Sequence, residues 1–234
     1  MEAELMYALI ISGGEGQRLR PLTDDRPKSM VPIAGKPIVD RQLEWLRGGG
    51  VTNVVLLCGY KSEVLQAHVA DGSRQGLSVE YSVEEEPLGR GGALKQGFAL
   101  VPASEERVVA CNSDILTDQS VADVVAFHKE KGAVATAMLS PLRSPYGIVD
   151  VADDGRIESF REKPQLPYWV NAGIYVFSRE FFGLLPDRGD HETTTFPKLA
   201  AEGRLFGYKS SAYWRPVDSI KDVAEAEREL ASAS

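Results

Sequence analysis

YALIISGGEGQRLRPLTDDRPK, residues 7–28, passes from an apolar run through three glycines into a cluster of basic side chains. The run Tyr7 to Ser12 is rich in branched aliphatics and reads as a buried strand. Gly13, Gly14 and Gly16 lack the Cβ atoms that would hold backbone N–H groups away from an oxyanion, so the loop can cradle phosphate. Residues 18–28 then carry Arg18, Arg20, Arg26 and Lys28 against Asp24 and Asp25, reversing the sign of the chain's net charge of -8. Two glycine signatures are excluded. Gln17-Arg18 follows Gly16 where a P-loop needs Lys and then Ser or Thr, and Leu19 occupies the third-glycine position of a dinucleotide fingerprint.

Outward from this loop, apolar β-branched runs alternate with amphipathic stretches. IVDRQLEWLRGGG, KSEVLQAHVA and GGALKQGFALV read as helices, and NVVLLC, LSVEYSV and RVVACNSD as strands. The alternation predicts an α/β fold: a three-layer, Rossmann-like, mixed but mainly parallel sheet with helices on both faces. Ser120 and Asp123 predict a capped helix reaching Lys131. After residue 132 the texture becomes strand-like (AVATAML, GIVDVADDGRIESFRE, NAGIYVFS), with ADDGR as a hairpin connection, and is expected to extend the same sheet. Ser219 and Asp222 suit a capping box for a last helix with Ile220, Val223 and Leu230 on its apolar stripe. One compact unit over 1–234 is expected, with a change of texture near residue 132.

Composition excludes several classes. The acidic balance argues against nucleic acid as partner. No apolar stretch is long enough to cross a bilayer, and the start MEAELMYALII lacks the order of features of a secretory signal, so a cytoplasmic protein without a membrane partner is expected. Cys58 and Cys111 each end an apolar run and read as buried free thiols. Asp114 ends the RVVACNSD strand, where open α/β sheets bind ligands. Asp218, before the last helix, is by itself equally an N-terminal residue that satisfies backbone donors.

GGEGQRLRPLTDDRPKSMVPIAGKPIVD resembles the N-terminal signature of the sugar-1-phosphate nucleotidylyltransferases. PLG-x-x-GAL at 87–94, Asn112-Ser113-Asp114, Tyr146-Gly147, Glu162-Lys163-Pro164, Asn171-Ala172-Gly173-Ile174-Tyr175 and Trp214 ahead of Asp218 follow in the family's order. The resemblance covers Tyr7 to about Leu230 and implies one catalytic domain over 1–234, with a nucleotide-binding half at about 1–131 and a sugar-binding half at about 132–234. It implies that Gly13, Gly14, Gly16, Arg18 and Lys28 hold the phosphates of an NTP and that the 87–89 loop, with Gly89, recognises the base. Ser12 and Glu86, at the edges of the two loops, belong to the same nucleotide-side set. It further implies that Asp114 and Asp218 hold Mg²⁺, that Gly147, Glu162 and Asn171 bind sugar hydroxyls, and that Lys163 binds the sugar phosphate. Arg90 stands where the family usually has Thr, and the sequence leaves open whether it reaches a phosphate or solvent.

The implied activity is a nucleotidyltransferase that forms an NDP-sugar and pyrophosphate from an NTP and a sugar 1-phosphate. Arg18, Lys28, Asp114, Lys163 and Asp218 form the catalytic set. SGG, RPKSM and NSD look most like mannose-1-phosphate guanylyltransferases, and YSVEEEPLGRGGALK like the heptose-1-phosphate guanylyltransferases. UTP, CTP and dTTP stay open, as do other hexose or N-acetyl-sugar phosphates and a phospho-alcohol cytidylyltransferase. His68, His128 and His191 need no catalytic role; the first two fall in predicted helices and the third in a polar turn. The chain looks like the catalytic domain alone, without the C-terminal β-helical domain of some members. Oligomeric state is not legible, and a homo-oligomer remains open.

Overall fold

Residues 6–233 are described by a computed structural model of the chain; the acidic start, residues 1–5, lies outside them. In chain order the elements are β1 (Tyr7–Ser12), β2 (Pro32–Ile33), β3 (Lys36–Pro37), α1 (Ile38–Gly48), β4 (Asn53–Cys58), α2 (Ser62–Val69), β5 (Ser78–Val83), α3 (Gly89–Phe98), β6 (Arg107–Asn112), β7 (Ile115–Thr117) and α4 (Val121–Lys131). Then come β8 (Ala135–Arg143), β9 (Ile148–Val151), β10 (Ile157–Arg161), β11 (Gln165–Ser178), α5 (Arg179–Gly183), α6 (His191–Ala201), β12 (Leu205–Lys209), β13 (Trp214–Pro216) and α7 (Ile220–Ala233).

A seven-stranded sheet in the order β12-β8-β11-β6-β1-β4-β5 forms the middle layer. β5, β4, β1 and β6 are parallel, β11 runs antiparallel between β6 and β8, and β12 is parallel to β8. Both faces are covered, which is why these strands are apolar at nearly every position. Ala8 and Ile10 of β1 point into a core with Leu43, Leu46 and Leu65, under α1 and α2. Tyr7 and Leu9 point into the opposite core with Leu94, Phe177, Phe181 and Phe196, under α3, α5 and α6. Gly97 lets α3 settle on β4, because a Cβ there would come within 2.0 Å of Leu57. A third cluster, Leu19, Val31, Ile33, Ile38, Leu116, Val217 and Ala226, anchors the base of the glycine loop beneath α7.

The topology decides where the site lies. From β1 the chain steps outward to β4 and β5, then returns to the other side of β1 as β6. This reversal leaves a crevice at the carboxyl ends of β1 and β6, the place where open α/β sheets receive ligands. The glycine loop leaves β1 there, and Asp114 follows β6.

Three expectations are corrected. GIVDVADDGRIESFRE does form a hairpin, but β9 and β10 make a separate two-stranded ribbon instead of extending the main sheet. Val149, Val151, Ile157 and Phe160 are exposed on it, so no packed face draws the ribbon into the layer. His191 is not in a polar turn: it is fully buried at the start of α6, whose N-cap is Asp190. On α7 the Ser219–Asp222 capping box forms reciprocally. Val223 and Leu230 pack on the third cluster as expected, but Ile220 is half exposed and Ala226 takes the buried position.

Candidate active site

A cleft of about 460 Å³ opens at the β1/β6 crevice. Gly13, Gly14, Gly16, Gln17 and Arg18 form one wall, Asn112, Ser113 and Asp114 another, and Lys28, Arg90 and Asp218 close it. A larger groove of about 1310 Å³, bounded by Trp45, Trp214 and Arg215, shares no residue with it. The smaller cleft gathers the phosphate-type loop and the convergent charges, so it is the candidate site.

The loop is shaped by two close approaches. Gly16 adopts φ 63°, and a Cβ on Gly59 would lie 2.8 Å from the Gly13 carbonyl, so β4's exit packs directly on the loop. Thr23 Oγ1 donates to the Gly16 carbonyl at 3.0 Å and closes the loop on itself. The Ser12 hydroxyl is turned inward, 2.8 Å from Ser29 Oγ, and is spent on fixing the loop.

Lys28 is the centre of the cleft. Its Nζ donates to Asp114 Oδ2 at 2.6 Å and to Asp218 Oδ1 at 2.5 Å, with side-chain exposures of only 15%, 23% and 36% in that order. Arg18 Nη2 reaches the same Asp218 oxygen at 2.9 Å from an exposed position. Burial pushes the Asp218 pKa up, but the bonds and charges of Lys28 and Arg18 outweigh it and hold the carboxyl below its usual value. The backbone places the aspartates: Asp114 lies in the turn between β6 and β7, and the Val217 N–H donates to the Asp114 carbonyl at 2.8 Å, tying the two segments together.

These carboxylates also fit a small hard cation. Each offers one oxygen to a single positively charged point, and oxygen donors of this kind suit Mg²⁺, which completes its shell with water and phosphate. Among the described residues there is no cluster of three or more His, Cys, Asp or Glu for a metal, so the protein's share would be these two.

Arg90 faces the cleft and is held from behind. Its Nε donates to Asp190 Oδ2 at 2.8 Å, and its Nη2 pairs with Asp190 and with Glu192 Oε2, the latter at 2.8 Å. Burial works against its charge, yet the two carboxylates more than offset that and raise its pKa. Glu192 Oε1 in turn accepts from Asn171 Nδ2 and Tyr175 Oη, both at 2.7 Å. Asn171 thus connects to the cleft through two side chains.

The remaining sugar-side residues are not brought into this cleft. Gly147 and Glu162 meet each other by the ribbon, where a Cβ on Gly147 would come within 2.7 Å of the Phe160 ring and 3.2 Å of the Glu162 carboxylate. Lys163 is exposed beside them at φ 45°. On the nucleotide side, Glu86 is exposed and pairs with Arg188 at 2.8 Å. Gly89 has φ 74°, and a Cβ there would lie 2.7 Å from the Gly189 carbonyl, so α3 begins against the 186–190 loop. Sequence reasoning missed Gln17, Asn112 and Ser113 as cleft wall and Asp190 and Glu192 as the holders of Arg90. The signal for that last pair was local, an Asp followed two residues on by Glu just ahead of an apolar helical pattern.

The nucleotidyl transferase family matches residues 7–233. The chain is 37% identical over 224 residues to mannose-1-phosphate guanyltransferase beta-B of Xenopus laevis, covering 93% of this chain and 62% of that protein. It is 34% identical over 240 residues to mannose-1-phosphate guanylyltransferase of Mycobacterium tuberculosis, covering 98% and 66%. The chain therefore spans less than two thirds of the length of these relatives. Among solved structures, HddC from Yersinia pseudotuberculosis superposes with a TM-score of 0.77 at 25% identity, covering 97% of this chain and 100% of that one. No helix among the described residues is long and apolar enough to cross a membrane. With its glycine loop, its crevice at the strand reversal and a match along nearly its whole length, the chain belongs to the nucleotidyl transferase family.

Proposed function

We propose that this protein transfers a nucleoside monophosphate from an NTP to a sugar 1-phosphate, releasing pyrophosphate, with GTP and mannose 1-phosphate or a manno-heptose 1-phosphate as substrates. The observation that carries the reading is Lys28 held between Asp114 and Asp218 under a glycine loop, a site suited to polyphosphate and a divalent cation together. The guanylyl and mannose assignment rests on the names of the relatives and on the SGG, RPKSM and NSD segments. One catalytic domain does the work, its nucleotide half at about 1–131 and its sugar half at about 132–234.

In this reading the backbone N–H groups of Gly13, Gly14 and Gly16 bind phosphate oxygens, and Gly89 lets the base approach bare backbone, with Ser12 and Glu86 bordering the two loops. Arg18 offers a planar fork and Lys28 a compact charge to the departing pyrophosphate. Asp114 and Asp218 would hold Mg²⁺, which would supply positive charge to the phosphates of the reactants. By the family resemblance, and from outside the lining of this cleft, Lys163 is assigned to the sugar phosphate and Gly147, Glu162 and Asn171 to sugar hydroxyls. The attacking oxygen belongs to a phosphate monoester that is already anionic, so no general base is needed. Positioning and electrostatics supply the rate.

The test is a coupled pyrophosphate assay crossing GTP, ATP, UTP, CTP and dTTP with mannose, glucose, N-acetylglucosamine, fucose and heptose 1-phosphates, and with phosphocholine. Turnover is expected to be greatest with GTP and a manno-configured phosphate. Preference for another pair would replace the substrate assignment, and silence with every pair would remove the activity.

A further inference from the structure

Arg90 departs from the residue its family usually carries, yet its side chain lines the same cleft as Lys28 and Asp114. A guanidinium has five N–H donors in a rigid fork. Nε and Nη2 both donate to Asp190 Oδ2, and Nη2 is also ion-paired with Glu192 Oε2 at 2.8 Å. Both Nη1 donors are in no hydrogen bond among the described residues. The holders are themselves fixed: Asp190 caps α6 through Glu192 N–H at 3.0 Å, and Glu192 is bonded by Asn171 and Tyr175. Beneath them the N–H of Gly91 donates to the Gly189 carbonyl at 2.9 Å, locking the start of α3 to the 186–190 loop. A surface arginine with no task would not be immobilised by two carboxylates at the rim of a phosphate-type cleft. The carboxylates hold the guanidinium in one orientation and leave the two Nη1–H donors aimed in fixed directions, available for a charge-assisted contact to a phosphate oxygen.

Building on the reading of this cleft as a phosphate-transfer site, we propose that Arg90 is a phosphate-binding residue, oriented by Asp190 and Glu192, whose Nη1 donors contact a phosphate oxygen of a bound reactant. That oxygen belongs either to the nucleotide or to the sugar 1-phosphate. Glu192 is the positioning residue: it fixes the guanidinium and, through Asn171, joins helix α3 on the nucleotide side to strand β11 on the sugar side.

The experiment compares wild type with Arg90→Lys, Arg90→Thr and Glu192→Gln. Initial rates give KM for each substrate of the best pair, and calorimetry measures equilibrium binding of GTP, inorganic pyrophosphate and inorganic phosphate. Loss of the charge-assisted Nη1 contact is expected to raise one KM by about tenfold to a hundredfold in both Arg90 variants, with the other KM changing less than about twofold. A rise in the NTP KM with weaker pyrophosphate binding assigns the contact to the nucleotide; a rise in the sugar phosphate KM assigns it to the monoester. Glu192→Gln is expected to raise the same KM by a smaller factor. Unchanged KM values and unchanged phosphate, pyrophosphate and GTP binding in Arg90→Lys, with only a lower melting temperature, would overturn the inference and leave Arg90 a structural clasp. If the wild type turns over no pair, the transfer reading fails by itself. The calorimetry still decides Arg90, because it needs no turnover, and Arg90→Lys keeps the charge should Arg90→Thr not fold.

Discussion

Lys28 Nζ and Asp218 Oδ1, 190 residues apart in sequence, meet at 2.5 Å, and Asp114 Oδ2 touches the same nitrogen at 2.6 Å. The ammonium thus binds together segments from the glycine loop, the end of β6 and the start of α7. A divalent cation held by the same two carboxylates would compete with Lys28 for them and would leave its ammonium to a polyphosphate.

Asp114→Ala and Asp218→Ala are each expected to reduce magnesium-dependent pyrophosphate release by at least about a hundredfold, the scale of losing one preorganised electrostatic contact to the transition state. Far-ultraviolet circular dichroism should be unchanged, since neither side chain belongs to a hydrophobic core. Full activity in either variant would take that residue out of the mechanism.

Lys28→Met leaves two half-buried carboxylates facing each other without their shared cation. In a chelating buffer its melting temperature is expected to fall by a few degrees, as for roughly 1 kcal/mol in a chain of this size. Millimolar Mg²⁺ should restore much of that fall while moving wild type little. Equal magnesium responses in the two proteins would show that the carboxylates do not share an ion.

Acid stability should report on two buried histidines. His128 is bonded to Thr136 and Ser178 at 2.9 and 3.0 Å, whereas both ring nitrogens of His191 lack a hydrogen-bond partner among Phe177, Phe181 and Phe196. Burial pushes each pKa down from 6.5 to about 4. Both rings stay neutral in the folded chain while the unfolded chain takes up protons, so their contribution is complete above pH 6.5 and is lost as the pH falls towards 4. The loss amounts to as much as about 3 kcal/mol per histidine. Urea unfolding of His191→Leu at several pH values should show a shallower decline over that window. A slope identical to wild type would exclude His191 as a source.

Cys58 and Cys111 are buried thiols whose pKa values burial raises to about 12. Negligible thiolate is present at neutral pH. A disulfide reagent is expected to label neither cysteine in the native protein and both in denaturant. Rapid native labelling would mean that the sheet opens where it is most tightly packed.

Legibility in the sequence followed the range of each signal. β1, the glycine loop and Asp114 were readable because an apolar run, missing Cβ atoms and a strand end are all local. The bond from Lys28 to two aspartates was not, since it depends on β6 returning beside β1. His191 was misread because its neighbours Asp190, Glu192 and Thr193 are polar. What buries it comes from β11 and α5, two aromatic elements ahead in the chain. The ribbon of β9 and β10 was misplaced because alternation predicts a strand but says nothing of which sheet receives it.

The placement of β11 between β8 and β6 has a consequence for synthesis on the ribosome. Once residues 1–131 have emerged, Arg107–Asn112 is paired only with β1, and the backbone groups on its other edge, along the apolar stretch Val108 to Cys111, stay unpaired until residues 174–178 arrive. The nascent half is therefore a sticky intermediate rather than a finished module. A chain truncated after Lys131 should precipitate, and a gene divided there should yield active protein only when both pieces are made together.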